Sequence, residues 1–442
     1  MVRMRALHWL AILAVFGLLG AACAPEDVED AVDDVIDDEE EVEEEPEVEE
    51  TPDEPEVEEE EVPDTDGLRL GYLLPETGPL AFLGPAQIGA VEMAVEEINE
   101  AGGVFGEDIV LVSGDEAGDA AVASTSVDRL LAENVHAIIG AAASGMSLAV
   151  IDQIVGAGVL QCSASNTSPT FTDYDDDGLY FRTAPSDALQ GPVLAETIIG
   201  DGHANVAILA RGDDYGQGLA DATQEALEEA GAEVPEVIIY DPEAATFSAE
   251  VEQVAAVSPD AVALVAFDEG VQILQELVEA GLGPADIGVY GADGIRDTGL
   301  AESVDPGDPN VLDGMKGTAP DPGATPDFLD RFDEFTGGEE PIFSAQAYDC
   351  TNLVALAAVA ADSTEGSDMA AEMPGLLDGD NECATFGECA DFLNDGDTIA
   401  YQAASGMGAF TDVGDPDRGT YEVWGFEDGE LVTHDSVEAT LD

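Results

Sequence analysis

From residue 68 onward, short apolar runs alternate with longer segments whose apolar positions recur every three or four residues. Residues 68–74 read as a strand. Residues 85–101 read as a helix, with Ile88, Val91, Val95 and Ile98 on one stripe and Gly102 and Gly103 closing it. The alternation continues with strands at 108–113, 137–141 and 159–163 and helices at 120–132 and 147–155. A second series sets strands at 206–210, 237–240, 261–267 and 287–290. Its helices fall at 215–230, 248–257 and 271–280. Strands this short, apolar on both faces and separated by helices, belong to parallel sheets covered on two sides. Two such series imply an α/β protein of two doubly wound lobes.

The first 66 residues follow a different pattern. Arg3 and Arg5 precede an apolar run from residue 6 to residue 22, broken only by His8 and ending in small residues before Cys23. A basic start, a short apolar stretch and a small-residue end are the parts of a secretory signal, here 1–22. The run is short for a membrane span of about 20 residues. From residue 26 to residue 66 there are 26 acidic residues and no basic ones, punctuated by Pro46, Pro52, Pro55 and Pro63. Such a segment cannot bury enough apolar surface to offset its ordering entropy, and self-repulsion extends it. Residues 23–66 therefore read as a disordered acidic tether.

The whole chain of 442 residues carries 99 acidic and 10 basic side chains, a formal charge of −89. That charge argues against nucleic acid as a partner, because phosphate binding needs Lys and Arg to neutralise a polyanion. It disfavours an anionic membrane surface for the same reason. Beyond the tether, 73 acidic face 8 basic residues, with Lys316 the only lysine. A field of that size repels itself unless salt screens it, which suggests a salt-tolerant source. Four cysteines follow Cys23. Cys383 and Cys389 stand six apart in a Gly- and Asn-containing stretch and read as a local disulfide, leaving Cys162 and Cys350 as a second candidate pair. A four-cysteine zinc site is disfavoured, since no CxxC knuckle is present.

In doubly wound lobes, ligands sit at the carboxyl ends of strands, where loops lead into helix N-termini. That rule selects the loops carrying Ser144 to Ser147, Ser163 to Thr167, Asp213 to Tyr215, Asp268 with Glu269, and Asp293. Hydroxyls and backbone N–H groups of the first two suit a carboxylate, and Asp293 suits an ammonium. Together they describe a site for a zwitterion, with Tyr215 to pack on it. Each residue also has a structural alternative: Ser144, Ser147 and Thr167 as helix caps, Asp293 before Gly294 as a turn, Tyr215 as a surface aromatic.

Seven stretches carry a resemblance. They are Gly71-Tyr-Leu-Leu-Pro-Glu-Thr-Gly-Pro-Leu-Ala81, Ala94-Val-Glu-Glu-Ile-Asn-Glu-Ala-Gly-Gly-Val104, Ile139-Gly140 with Ser144-Gly145, and Phe181-Arg-Thr-Ala-Pro-Ser-Asp187. Asp214-Tyr-Gly-Gln-Gly-Leu219, Gly291-Ala-Asp-Gly294 and Ala347-Tyr348-Asp349 complete the set. In this order, over nearly all of 67–442, the chain resembles the leucine/isoleucine/valine-binding receptors of ABC importers. The resemblance implies the type I periplasmic binding protein fold: two Rossmann-like lobes joined by a three-crossover hinge and closing on a solute. It implies a first lobe of about 67–186 plus 318–404 and a second of 187–317 plus 405–442. Carried over by position, the ligand carboxylate meets Ser144, Ser165 and Thr167, and a main-chain carbonyl near Ser165 receives the ammonium. Tyr215 and Asp293 come from the second lobe; many relatives have Glu at the latter position. Phe267 stands where the family's loop aromatic falls, and Leu83 replaces a frequent pocket aromatic. Leu19-Gly20-Ala21-Ala22-Cys23 resembles a lipobox, although the family prefers Leu where Gly20 stands. It implies lipidation of Cys23 and anchoring at the outer face of the cytoplasmic membrane. An ABC permease and its ATPase are the implied partners, and the receptor is expected to be a monomer that needs no cofactor.

Catalysis is not indicated. The chain has no Gly-x-Ser-x-Gly elbow, Walker sequence, HExxH or dinucleotide fingerprint. Residues 173–178 imitate the start of an EF-hand loop, but the twelfth position is Ala184 rather than Glu. Branched-chain amino acids lead as ligand, with amides, other amino acids and aromatic acids fitting the same frame. A sensory receptor built on the same module normally continues into a membrane span, so a chain ending at Asp442 is expected to be the importer subunit.

Overall fold

The computed structural model describes residues 67–322 and 325–441. The signal, Cys23 and the acidic tether lie outside the described residues.

The chain begins with β1 (Arg69–Leu73), α1 (Gly84–Glu100), β2 (Val110–Val112), α2 (Ala120–Ala132), β3 (Ala137–Gly140), α3 (Ser144–Gly156), β4 (Leu160–Ser163) and β5 (Tyr180–Arg182). These five strands form one parallel sheet in the order β2-β1-β3-β4-β5. The next run is α4 (Asp187–Gly200), β6 (Val206–Arg211), α5 (Asp214–Glu229), β7 (Val237–Tyr240), α6 (Ser248–Val257), β8 (Ala261–Val265) and α7 (Gly270–Glu279). It continues through β9 (Gly288–Gly291), α8 (Leu300–Val304) and β10 (Lys316–Pro320). The chain then returns to the first sheet with α9 (Pro326–Thr336), α10 (Ser344–Ala361), α11 (Gly366–Glu372), β11 (Asn381–Cys383), α12 (Phe386–Asn394) and β12 (Ile399–Tyr401). It ends in a hairpin of β13 (Arg418–Glu427) and β14 (Glu430–Thr440) on the second sheet.

The second sheet runs β14-β13-β10-β9-β8-β6-β7, parallel from β7 to β10 and antiparallel at β13 and β14. Its parallel part repeats the connectivity of the first sheet. In both, the first strand lies between the second and the third, so strand order reverses at β1/β3 and again at β6/β8. Such switch points open a crevice at the strand ends, where ligands bind. The chain passes between the sheets three times, at 182–187, 320–326 and 401–418. β10 stays in the second sheet to Pro320, so that strand crosses the 317/318 boundary read from the sequence.

Burial explains the layers. α10 is buried on every side from Ser344 to Ala358, which its many alanines permit, and it packs on α1 within the core of the first lobe. α4 contains Pro192 and is mostly apolar, and it packs on α5. Gly191 allows this close approach, since a Cβ there would lie 2.6 Å from that of Ala222. Disulfides join Cys162 of β4 to Cys350 of α10 and Cys383 of β11 to Cys389 of α12, with Cα separations of 5.9 and 5.3 Å. The crossovers are tied by Arg182 and Asp415. Both are buried, and Nε and Nη2 donate to the two carboxylate oxygens at 2.6 and 2.8 Å.

Candidate functional site

The loop after β3 turns directly into α3, so Ser144 falls in that helix's first turn, where N–H groups have no intrahelical partner. The preceding amides are already engaged. Glu116, fully buried, accepts from Ala142 N at 2.7 Å and Ala143 N at 3.2 Å. Burial pushes its carboxyl up to about 8 despite those two donors. The Ser144 hydroxyl accepts from Ser168 N at 3.3 Å. Ser165 donates to Gln87 Oε1 at 3.1 Å and to Ala142 O at 3.2 Å, and the buried Thr167 hydroxyl faces the Asp187 carboxyl. Arg182 holds this loop from behind, donating to Asn166 O and Ser168 O at 3.3 and 2.8 Å. The first lobe thus presents hydroxyls and helix-start amides on a fixed loop.

The second lobe presents acids. Asp293 follows β9 and is buried; its Oδ1 accepts from Tyr215 OH at 2.9 Å and from Gln190 Nε2 at 2.8 Å. The Tyr215 ring stacks on Phe267 at 5.2 Å, and the Arg211 guanidinium lies 3.5 Å from the Phe267 ring centre. That guanidinium is tied to Asp213 and Glu269, at 2.6 and 2.8 Å. Asp187 opens α4 one turn before Gln190. It is fully buried, and the Thr167 hydroxyl is the donor that faces its carboxylate, beyond normal hydrogen-bond length. Burial first, and the charge of Asp293 second, push its carboxyl well above the usual range. Burial raises Asp293 as well, against the donors Gln190 and Tyr215. Among the described residues, no Lys, Arg or His forms an ion pair with either acid. No group of three His, Cys, Asp or Glu suited to a metal occurs among the described residues.

The two halves meet. Asp187 N donates to Thr167 O at 2.7 Å, and Ser168 OH donates to Asp214 O at 3.1 Å. Leu80, Leu83 and Ala143 share one apolar cluster with Tyr215, Phe267, Ala292 and Phe343. All seven residues singled out in the sequence, Leu83, Ser144, Ser165, Thr167, Tyr215, Phe267 and Asp293, are buried at this junction. Tyr215 is therefore no surface aromatic. A groove of about 580 Å³ lies beside α5, lined by Pro169, Pro192, Asp214 and Glu225, and includes none of the seven. Its lining is acidic and open, without the buried convergent polar groups that mark a solute site, so we place the candidate site at the junction.

Sequence reading missed Asp187, Gln190, Glu116 and Gln87. Asp187 closes the quoted stretch Phe181–Asp187, but with Ser186 capping α4 it reads there as an acid in a helix's first turn, not as a site residue. Glu116 follows Asp115 in a loop whose pairing with 142–143 only the fold creates.

The sequence model described as periplasmic binding protein matches residues 67–401. The chain belongs to this family. Its members are substrate-binding receptors of ABC transporters rather than enzymes. Among curated relatives, a Leu/Ile/Val-binding protein homolog 3 from Brucella melitensis is 25% identical over 369 residues, 83% of this chain and 93% of the relative. A homolog 1 from Brucella suis is 29% identical, covering 69% and 81%. Among solved structures, a leucine-binding protein from Thermotoga maritima superposes with TM-score 0.71 at 21% identity, over 84% of this chain and 98% of the other. A branched-chain amino acid transporter substrate-binding protein from Streptococcus pneumoniae, in complex with isoleucine, gives 0.69 at 21% over 84% and 99%. A solute-binding protein from R. palustris, in complex with benzoate, gives 0.68 at 18% over 85% and 98%. At these identities the superpositions establish the fold: the two-lobed type I periplasmic binding protein architecture.

Proposed function

We propose that this periplasmic binding protein captures an amino acid with an apolar side chain at the junction of its lobes and delivers it to an ABC importer. The observation that carries the reading is the Asp293 carboxylate, buried beside Asp187 with hydrogen-bond donors but no cation. A buried carboxylate without a cation is costly unless a partner arrives with its ligand. An ammonium supplies that partner. Ser144, Ser165 and Thr167, with the first amides of α3, take the carboxylate, and Leu83, Tyr215 and Phe267 bound the side chain. The names of the Brucella relatives support the same ligand class. The lobes are assigned as about 67–186 with 321–404 and 187–320 with 405–442, which moves the 317/318 boundary so that β10 falls whole in the second. The permease and ATPase are the partners, and Cys23 with its tether holds the receptor outside the cytoplasmic membrane.

A second reading, capture of an aromatic or other small organic acid for transport or sensing, draws on the benzoate-bound neighbour. It leaves Asp187 and Asp293 facing a ligand without positive charge, and for that reason it ranks second. A thermal-shift screen of the protein in high salt separates the two. Saturation at about 100 times Kd stabilises a protein by about 2.7 kcal/mol. Leucine, isoleucine or valine should raise the melting temperature by several degrees while benzoate does not. A shift with benzoate and with no amino acid would reverse the ranking.

A further inference from the structure

Asp187 and Asp293 form a pair that the amino-acid reading uses only in part. Gln190 lies three residues after Asp187 on α4 and donates to Asp293, so one helix turn brings both acids to one face. Asp187 and Gln190 lie on α4 and Tyr215 on α5, two helices that pack together, and Asp293 stands just after β9 of the second sheet. The pair therefore stays together whether or not the first-lobe loops approach. The charged and titratable neighbours are few. Arg182 favours the charged form of Asp187, but it is bound to Asp415. Asp213 opposes it. Tyr215 keeps its proton and donates a hydrogen bond to Asp293, and Tyr421, on β13, donates to Ser186 O rather than to either acid. On the first lobe, Glu116 is engaged with the amides of Ala142 and Ala143.

Two buried carboxylates linked through one turn of α4 and near enough for the charge of one to raise the other do not both stay ionised without a counter-cation. A ligand ammonium is the cation that lets both ionise. We propose that the ligand-free Asp187–Asp293 pair holds one proton in common and releases it to solvent when the ammonium docks, so that amino-acid capture is coupled to proton release. The inference rests on the amino-acid reading. One carboxyl O–H bond breaks and the proton bonds to the buffer base: the ligand arrives as its zwitterion, and its ammonium replaces the shared proton as the pair's positive partner. By linkage, affinity rises about tenfold per pH unit wherever one full proton is released. The sign is distinctive. Uptake of a solvent proton by Glu116 as the ligand carboxylate approaches would instead make affinity fall with pH.

The test is titration calorimetry of the full protein with leucine, in high salt, in buffers of different ionisation enthalpy from pH 5.5 to 8.5. The dependence of observed heat on buffer enthalpy gives the number of protons exchanged. Release of close to one proton near pH 6, with affinity rising with pH, is expected. Asp187→Asn should bring the count towards zero and flatten the pH dependence of whatever affinity remains. Should that variant not fold, the infrared difference spectrum of the unaltered protein decides. A protonated carboxyl band present without leucine should vanish when leucine binds. Leucine binding with no proton exchanged, with uptake instead, or with no carboxyl band lost overturns the proposal and leaves the amino-acid reading standing. Binding of no amino acid at all removes both.

Discussion

Arg182 joins two parts of the account, and its removal has separable consequences. Its guanidinium is fully buried, pairs with both oxygens of buried Asp415, accepts none, and donates to Ser168 O and Asn166 O on the hydroxyl loop. Arg182→Met keeps the volume and strands Asp415. Breaking a buried pair by removing one partner costs about 3–5 kcal/mol. Unfolding entropies of about 2.1 cal/mol/K per residue, over the 376 residues from 67 onward, convert about 4 kcal/mol into a fall of about 5 °C in melting temperature. The double variant Arg182→Met with Asp415→Leu removes the stranded charge and should recover half or more of that loss. Ligand affinity should not recover, because the carbonyls of Asn166 and Ser168 have then lost the Arg182 donor that holds them. Circular-dichroism melts at fixed high salt, paired with calorimetry, read both effects. A single variant that melts within 1 °C of the original, or a double variant no more stable than the single, would show that the pair carries no such weight. Restored stability together with full affinity would separate Arg182 from the site.

Other consequences are simpler. Asp293→Ala should weaken amino-acid binding by tens- to thousands-fold, the effect of about 2–5 kcal/mol expected when one partner of a buried charge pair is removed; unchanged affinity by calorimetry would take Asp293 out of the site. Burial raises Glu116 from 4.5 to about 8 and Asp349 from 3.8 to about 6. The folded protein therefore keeps protons that the unfolded chain has already lost. Stability contributed by these groups is present in acid and declines as pH rises, through about 6 for Asp349 and about 8 for Glu116, by up to about 1.4 kcal/mol per unit per group. Melts in high salt should show that decline, and Glu116→Gln should flatten it between pH 6 and 8; a rise over that interval contradicts the assignment. In the chain-entropy account, removing the disulfide that spans 188 positions costs about 5 kcal/mol and the one that spans 6 about 2. Paired Cys→Ser variants at 162/350 and 383/389 should melt in that order, and the reverse order would contradict it.

Up to β9, all elements but β5 and α4 were legible because their chemistry is local. β1, β3, β6 and β8 are apolar on both faces, and helices such as α2 and α6 match their sequence-read bounds to the residue. What escaped has no local signature. α4 combines Pro192 with a near-continuous apolar surface, and α10 is buried all round, so neither shows a polar face against which a period could be read. The β13–β14 hairpin shows little alternation because β13 is buried almost throughout, whereas β14 is largely exposed. The site followed the same division. Ser144, Tyr215 and Asp293 could be found from strand-end loops and family motifs, whereas Asp187 and Glu116 acquire their character from burial and from residues far off in the chain.

The central claim is that buried acids on the second lobe await an ammonium while hydroxyls and amides on the first await a carboxylate. Leucine and 4-methylpentanoate share a side chain and a carboxylate and differ in the ammonium. Calorimetry of the protein with each, at one pH and in high salt, therefore isolates the contact in question. The account predicts that leucine binds at least a hundredfold more tightly, about 2.7 kcal/mol or more. Equal affinities, or tighter binding of the acid, would contradict it.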